Sequence, residues 1–243
     1  MMAKKRLEKS GSLEFHSQLE HKIRTRPRKF KFTDKQVQFL NIILNPNNPI
    51  IFVSGPAGSS KTYMAVYAAI QLMAEDRERQ LLYVRSIAES ADKGLGSLPG
   101  DIAEKFDPFL MPLYDKLEEI VQPQDVVWLK KQELISAVPI NFLRGASWTN
   151  KVIVADECQN FTLKELTTLI TRVGEGSKLI ICGDIMQSDI GQRSGFKNMF
   201  DLFNDEESKE KGVQTFKFNH TDIVRSEILK FLVYKLEKIG ATV

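Results

Sequence analysis

Two periods of apolar and polar positions run through this chain. Ile50-Ile-Phe-Val53, Leu81-Leu-Tyr-Val84, Val152-Ile-Val-Ala155 and Lys178-Leu-Ile-Ile-Cys182 are short apolar runs bounded by turn residues, the pattern of strands buried on both faces. Ile140-Asn-Phe-Leu143 and Val213 to Phe218, the latter after a charged loop at 204–212, read as further strands. Helical spacing fills the intervals. A capping box, Thr33 with Gln36, opens a helix over 34–44, and Asn45-Pro46-Asn47-Asn48-Pro49 stops it. Residues 61–75 place Met64, Ala65, Ala68, Ala69 and Leu72 on one face. A second capping box, Thr162 with Glu165, opens a helix to about Arg172, and 222–239 form a closing helix with Ile223, Ile228, Leu229, Leu232, Leu236 and Ile239 as apolar positions. Residues 86–138 are less regular: Gly94, Gly96, Pro99-Gly100, Pro108, Pro112 and Pro123 predict short helices and loops. Strands alternating with helices predict an α/β fold, a parallel sheet with helices on both faces and ligands at the carboxyl ends of its strands.

Composition narrows the class. With 243 residues, 42% hydrophobic and 27% charged, the chain is neither collagen-like nor wholly disordered. Its length suits one domain of about 200 residues with a short appendage. No apolar stretch approaches the ~18 residues of a membrane helix, and the basic N-terminus has no apolar signal segment, so a cytoplasmic, reducing location and no membrane partner are expected. Cys158 and Cys182 form no CxxC motif, and His16, His21 and His220 have no ligand spacing, which argues against a disulfide framework or a zinc site.

The net charge of +3 is unevenly distributed. Residues 1–31 hold ten Lys/Arg against three Glu, whereas the remainder holds 24 against 28 Asp/Glu. A basic arm over 1–31 on a mildly acidic domain over 32–243 suits contact with a polyanion such as RNA or DNA; a solubilising tail or an arm packed on a neighbouring subunit suits it equally.

The chemistry concentrates at three strand ends. Gly55-Pro56-Ala57-Gly58-Ser59-Ser60-Lys61-Thr62 joins the first strand to a helix, the context of a phosphate-binding loop. Its backbone N–H groups cradle phosphate, Lys61 reaches the β/γ-phosphates and Thr62 serves Mg²⁺. Ser60 stands where the motif has glycine. Asp156 and Glu157 end another strand: Asp156 suits the Mg²⁺ shell and Glu157 the general base that polarises water. A third strand ends in Gly183-Asp184-Ile-Met-Gln187, where Gln187 either contacts the γ-phosphate or completes a local turn. Gln36 likewise has two readings, the capping box alone or recognition of the adenine edge.

Together these residues resemble the PhoH family of ATPases, a RecA-like domain related to superfamily 1 helicase cores. The resemblance spans roughly residues 33–239. Leu95-Gly-Ser-Leu-Pro99-Gly-Asp101, Lys105-Phe-Asp-Pro108-Phe and Pro112-Leu-Tyr-Asp115 resemble the family's insertion after the second strand. Arg144-Gly145, Asp156-Glu157-Cys-Gln159-Asn160, Thr171-Arg172-Val-Gly174, Gly183-Asp184 with Gln187, and Ser194-Gly195 match further blocks. Ser60 and Ala155 depart from the pattern without removing a charged group. Compact versions with this Ser-Ser-Lys-Thr loop resemble phage-encoded members. The resemblance implies ATP and Mg²⁺ as cofactors, single-stranded nucleic acid as partner with RNA favoured, and a homo-oligomer, a hexameric ring favoured. Asp222-Ile-Val-Arg225 resembles the block carrying a candidate arginine finger. We expect Arg225 to reach a neighbouring subunit's nucleotide, with Arg193, Arg172 and Arg144 as competitors and local pairing with Asp222 or Glu227 as the alternative.

The leading expectation is Mg²⁺-dependent ATP hydrolysis coupled to binding, remodelling or unwinding of nucleic acid. An ATP-dependent switch or adaptor with slow hydrolysis is second, kept open by Ser60. A small-molecule kinase is third, disfavoured by the paired acids.

Overall fold

The computed structural model describes residues 27–76, 78–86, 102–143 and 147–240. Most of the basic arm, the Leu95–Asp101 block and Arg144-Gly145 lie outside them. Helix α1 spans Asp34–Leu44, β1 Ile50–Ser54, α2 Lys61–Glu75 and β2 Gln80–Arg85. Then come α3 (Ile102–Ile120), α4 (Pro123–Lys131), β3 (Ile135–Pro139), β4 (Lys151–Asp156), α5 (Leu163–Ile170) and β5 (Lys178–Gly183). The chain continues through α6 (Phe196–Leu202), α7 (Glu206–Glu210), β6 (Val213–Lys217) and α8 (Glu227–Gly240). The strands form one sheet in the order β3-β2-β4-β5-β1-β6, and every pairing is parallel.

Period-two alternation on the buried strands divides the core by face. Ile51 and Val53 of β1, Leu81 and Tyr83 of β2, and Val152 and Val154 of β4 face the cluster built with α1 to α4. Phe52, Leu82, Val84, Ile153 and Ala155 face the second cluster, with Leu166 and Leu169 of α5 and Phe196 and Phe200 of α6. The expected α/β, RecA-like architecture with helices on both faces is the observed one. Both predicted capping boxes are present, Thr33 with Gln36 and Thr162 with Glu165.

Four expectations need correction. Pro108 and Pro112 do not divide the region after β2: α3 runs through both. A proline inside a helix costs ~3 kcal/mol, whereas burying a Leu or Ile side chain returns about 1.5–3 kcal/mol. Leu113, Leu117 and Ile120 are all fully buried on that helix. The strand expected at Ile140–Leu143 lies earlier, at Ile135–Pro139, and Ile140–Phe142 is a 3₁₀ turn. As an edge strand, β3 is only partly covered and lacks a continuous apolar run. The charged loop at 204–212 contains the short helix α7. The closing helix starts at Glu227 because Asn219 and Asp222 cap a separate 3₁₀ turn, His220–Asp222. Before α1, Arg28 already docks through its backbone N–H on the Ile120 carbonyl (2.7 Å), and Phe32 packs edge-on to Tyr67.

Candidate functional site

Parallel pairing brings the carboxyl ends of β1, β4 and β5 side by side, so the loop after β1 meets the acids after β4 and β5. The Gly55–Thr62 loop is tightly tied. Gly55 N–H donates to the Gly183 carbonyl (3.2 Å), and a Cβ on Gly55 would lie 2.6 Å from the Phe218 Cβ, so only glycine fits. Ser59 is fully buried, its hydroxyl donating to the Pro56 carbonyl (2.8 Å). The Lys61 ammonium donates to the Gly55 and Pro56 carbonyls at 2.6 and 3.0 Å. Ser60 precedes α2 with φ 65° and ψ 20°, in the left-handed region, and makes no side-chain capping bond. This conformation, rather than narrowing of the loop, accounts for the motif's preference for glycine there.

The acids are held from both sides. The Thr62 hydroxyl donates to Asp156 Oδ1 (2.5 Å), and the Tyr83 hydroxyl donates to Asp156 Oδ2 (2.5 Å). Glu157 also adopts a left-handed backbone, φ 54°, turning it out of strand geometry. Gln159 Nε2 donates to Glu157 Oε2 (2.6 Å), and Arg85 Nη2 lies 4.0 Å from Glu157 Oε1. Gln159 Oε1 in turn accepts from Asp184 N–H (3.0 Å), linking the β4 and β5 loops. Burial pushes the Asp184 carboxyl up, opposed by the Met186 N–H, the Lys61 charge and the Ala57 N–H. Burial also raises both cysteine thiols well above their usual value, and both cysteines are free.

A cavity of about 560 Å³ opens between the phosphate loop and the acids. Ala57, Gly58, Ser60, Lys61 and Thr62 face Asp156, Glu157, Asp184 and Gln187 across it. Gly55, Pro56 and Ser59 shape the loop from behind. Helix α3 supplies a wall through Asp115, Lys116 and Glu119, and a second cavity of about 250 Å³ adjoins, sharing Glu157 and Gln187. Gln36 is not on the cavity lining; its carboxamide oxygen accepts from Thr33 N–H (2.9 Å) in the capping box.

The segment before α8 places Arg225 at the phosphate loop. It borders its own chain's cavity: a Cβ on Gly58 would lie 3.4 Å from Arg225 Cδ and 3.5 Å from its Nε. Val224 N–H donates to the Gly58 carbonyl (3.2 Å), and Ile223 is buried beneath, so the segment before α8 is clasped to the loop. The proposed local partners are engaged elsewhere, Asp222 with Asn219 N–H (2.8 Å) and Glu227 with Lys230 (2.7 Å). This guanidinium thus sits over the loop of its own subunit, at the edge of the cavity.

Sequence reasoning passed over Tyr83, Arg85, Gln159 and the α3 wall as site residues. Tyr83 was the one hydroxyl in an aliphatic strand, and Arg85 a charge at its carboxyl end; both were available signals. Pro108 and Pro112 conceal Lys116 in the sequence, because prolines predict breaks rather than a helix face.

Comparison with known proteins adds kinship to this geometry. The sequence profile of the PhoH-like protein family matches residues 30–237. A PhoH-like protein of Synechocystis is 34% identical over 235 residues, covering 94% of this chain and 70% of that protein. Protein PhoH of Escherichia coli K12 is 31% identical over 199 residues, 80% of this chain and 54% of its own length. A PhoH-like protein of Bacillus subtilis is 32% identical over 193 residues, 79% and 59% respectively. The chain thus spans little more than half of these two relatives. Among solved structures, the Pif1 helicase from Candida albicans aligns with TM-score 0.39 and 16% identity, covering 79% of this chain and 40% of that one. With its phosphate loop, paired acids and parallel sheet, the chain belongs to the PhoH family and is a P-loop protein of the nucleotide-hydrolysing class.

Proposed function

We propose that this protein hydrolyses ATP with Mg²⁺ and couples turnover to single-stranded nucleic acid, RNA favoured. The observation that carries the reading is the convergence of Lys61, Thr62, Asp156 and Glu157 on one cavity at the carboxyl edge of the sheet. The donor set fits Mg²⁺, because the Thr62 hydroxyl and Asp156 carboxylate are hard oxygens already within 2.5 Å of each other. Bound there, Mg²⁺ with ATP would supply charge neutralisation on the phosphates. The chain's own groups do the rest. The loop N–H groups and Lys61 hold phosphate, Glu157 takes a proton from water, and Gln187 contacts the γ-phosphate. Arg225, beside Gly58, neutralises charge in cis. In this reading the chain acts as a homo-oligomeric ring, a hexamer favoured, in which neighbouring RecA-like domains grip the strand together. The basic residues of 1–31 supply nonspecific attraction to phosphate.

The second reading, a nucleotide-dependent switch with slow hydrolysis, rests on Glu157 itself. Its carboxylate is engaged by Gln159 and flanked by Arg85, so it is restrained before any water is activated. Phosphate release from Mg-ATP, measured with and without single-stranded RNA or DNA, tests both. Turnover stimulated several-fold by RNA supports the motor. Tight nucleotide binding with unstimulated, slow turnover supports the switch, and no nucleotide binding refutes both.

A further inference from the structure

We propose that Tyr83 is a positioning residue that makes this site select Mg²⁺ over Ca²⁺, by occupying the Oδ2 oxygen of Asp156. The inference rests on the metal–nucleotide reading above and goes beyond it to a residue outside the phosphate loop and the acidic pair.

Strand β2 pairs in parallel with β4, placing Tyr83 opposite Val154 and Arg85 opposite Asp156. The Tyr83 ring therefore lies one side-chain step behind the acid, on the sheet face covered by α2. It is fully buried, and its hydroxyl reaches forward to Asp156 Oδ2 at 2.5 Å. The other oxygen, Oδ1, faces Thr62 at 2.5 Å. The carboxylate is thus divided: one oxygen belongs to the fold and one to the site.

That division has a consequence for cation choice. Ca²⁺ takes 6–8 oxygens in flexible geometry and readily uses both oxygens of one carboxylate, whereas Mg²⁺ demands near-ideal octahedral geometry with single oxygens. An aspartate with Oδ2 already accepting a hydrogen bond from a buried phenol offers a single oxygen on a fixed axis. This suits the smaller ion and withholds the bidentate mode from the larger. A tyrosine serving only to fill the core would affect stability but leave the ratio of cation affinities alone.

The test measures binding of a fluorescent ATP analogue while Mg²⁺ or Ca²⁺ is titrated, in the unmodified chain and in Tyr83→Phe. The cation midpoints are read without reference to turnover. The unmodified protein should need more Ca²⁺ than Mg²⁺. In Tyr83→Phe the Ca²⁺/Mg²⁺ midpoint ratio should fall about five-fold, the scale of one hydrogen bond. Tyr83→Leu, aliphatic like the rest of that strand, is the second variant, and a circular dichroism melt establishes that the variant assayed is folded. An unchanged ratio in a folded variant overturns the proposal, as does an unmodified protein that binds nucleotide equally well with either ion. If the unmodified protein binds no nucleotide with either cation, the metal–nucleotide reading itself fails and this proposal with it.

Discussion

Replacing Ser60 by glycine should stabilise this protein although it removes atoms from a half-buried position. Ser60 holds φ 65° and ψ 20°, where an L-residue's Cβ crowds the following carbonyl, at a cost of roughly 1–2 kcal/mol. Glycine is free of that cost but gives the unfolded chain more freedom, which offsets about 0.4–1 kcal/mol. The hydroxyl makes no capping hydrogen bond, so none is lost. The balance favours the folded state by about 0.5–1 kcal/mol, which for a chain of this size is a rise in Tm of about 1–4 °C. Ser60→Ala keeps the Cβ, and with it the strain, so it should melt at or below the unmodified protein. Thermal melts followed by far-ultraviolet circular dichroism, without nucleotide, compare the three proteins. A Ser60→Gly variant that melts no higher than the unmodified chain, or an alanine variant that gains as much as glycine, refutes the strain argument.

Three further outcomes are expected. Glu157→Gln should keep nucleotide binding by equilibrium dialysis and lose turnover by ~10²-fold or more, the scale of general-base removal, while Lys61→Ala should lose binding; normal turnover in Glu157→Gln excludes it as the base. Arg225→Ala should lower turnover by about 10³-fold, the lower range for an arginine at the γ-phosphate. On the proposal that each subunit uses its own arginine, mixing it with Lys61→Ala subunits should restore nothing; recovery in the mixture would establish supply across subunits. Lys178 is buried with its ammonium donating to the Asn45 and Asn48 carbonyls, both at 2.7 Å, and burial brings its pKa down to about 8. The folded state therefore binds fewer protons than the unfolded state above that pH, so stability relative to Lys178→Met should rise from about pH 8 to the usual lysine range. Urea midpoints of the two proteins at pH 7.5 and 10 that shift in parallel would contradict this.

What was legible in the sequence was local. The β1–loop–α2 unit could be read because a buried strand, a glycine turn and a helix start follow one another directly, and α2 begins at Lys61 as expected. Capping boxes at Thr33 and Thr162 declared themselves within four residues. The elements that escaped depend on contacts distant in sequence. Packing of Leu113, Leu117 and Ile120 carries α3 through two prolines, and no feature of residues 102–120 alone announces it. The same holds in the site. Asp156 and Thr62 were visible as motif members, but the Tyr83 bond to Asp156 depends on β2 and β4 being neighbours in the sheet. The position of Arg225 required knowing that Val224 closes on the Gly58 carbonyl. Of the apolar positions read on the closing helix, Ile228, Leu232 and Leu236 are exposed, because amphipathic spacing reveals a face without revealing what covers it.

The place of β1 in the sheet also sets when the nucleotide site can exist. Ile50 pairs with Leu179 of β5 on one side and with Val213 of β6 on the other, and β1 has no partner among the strands that precede β5 in the chain. The loop after β1 is likewise anchored to Gly183 and to Val224. A chain emerging from the ribosome thus carries its phosphate loop before β1 has a strand to pair with, and the first such strand is β5. Contacts so distant in sequence form slowly, because loop closure must precede the pairing that rewards it. Assembly of the site therefore waits for β5, and nascent chains ending before it carry the loop without the scaffold that shapes it.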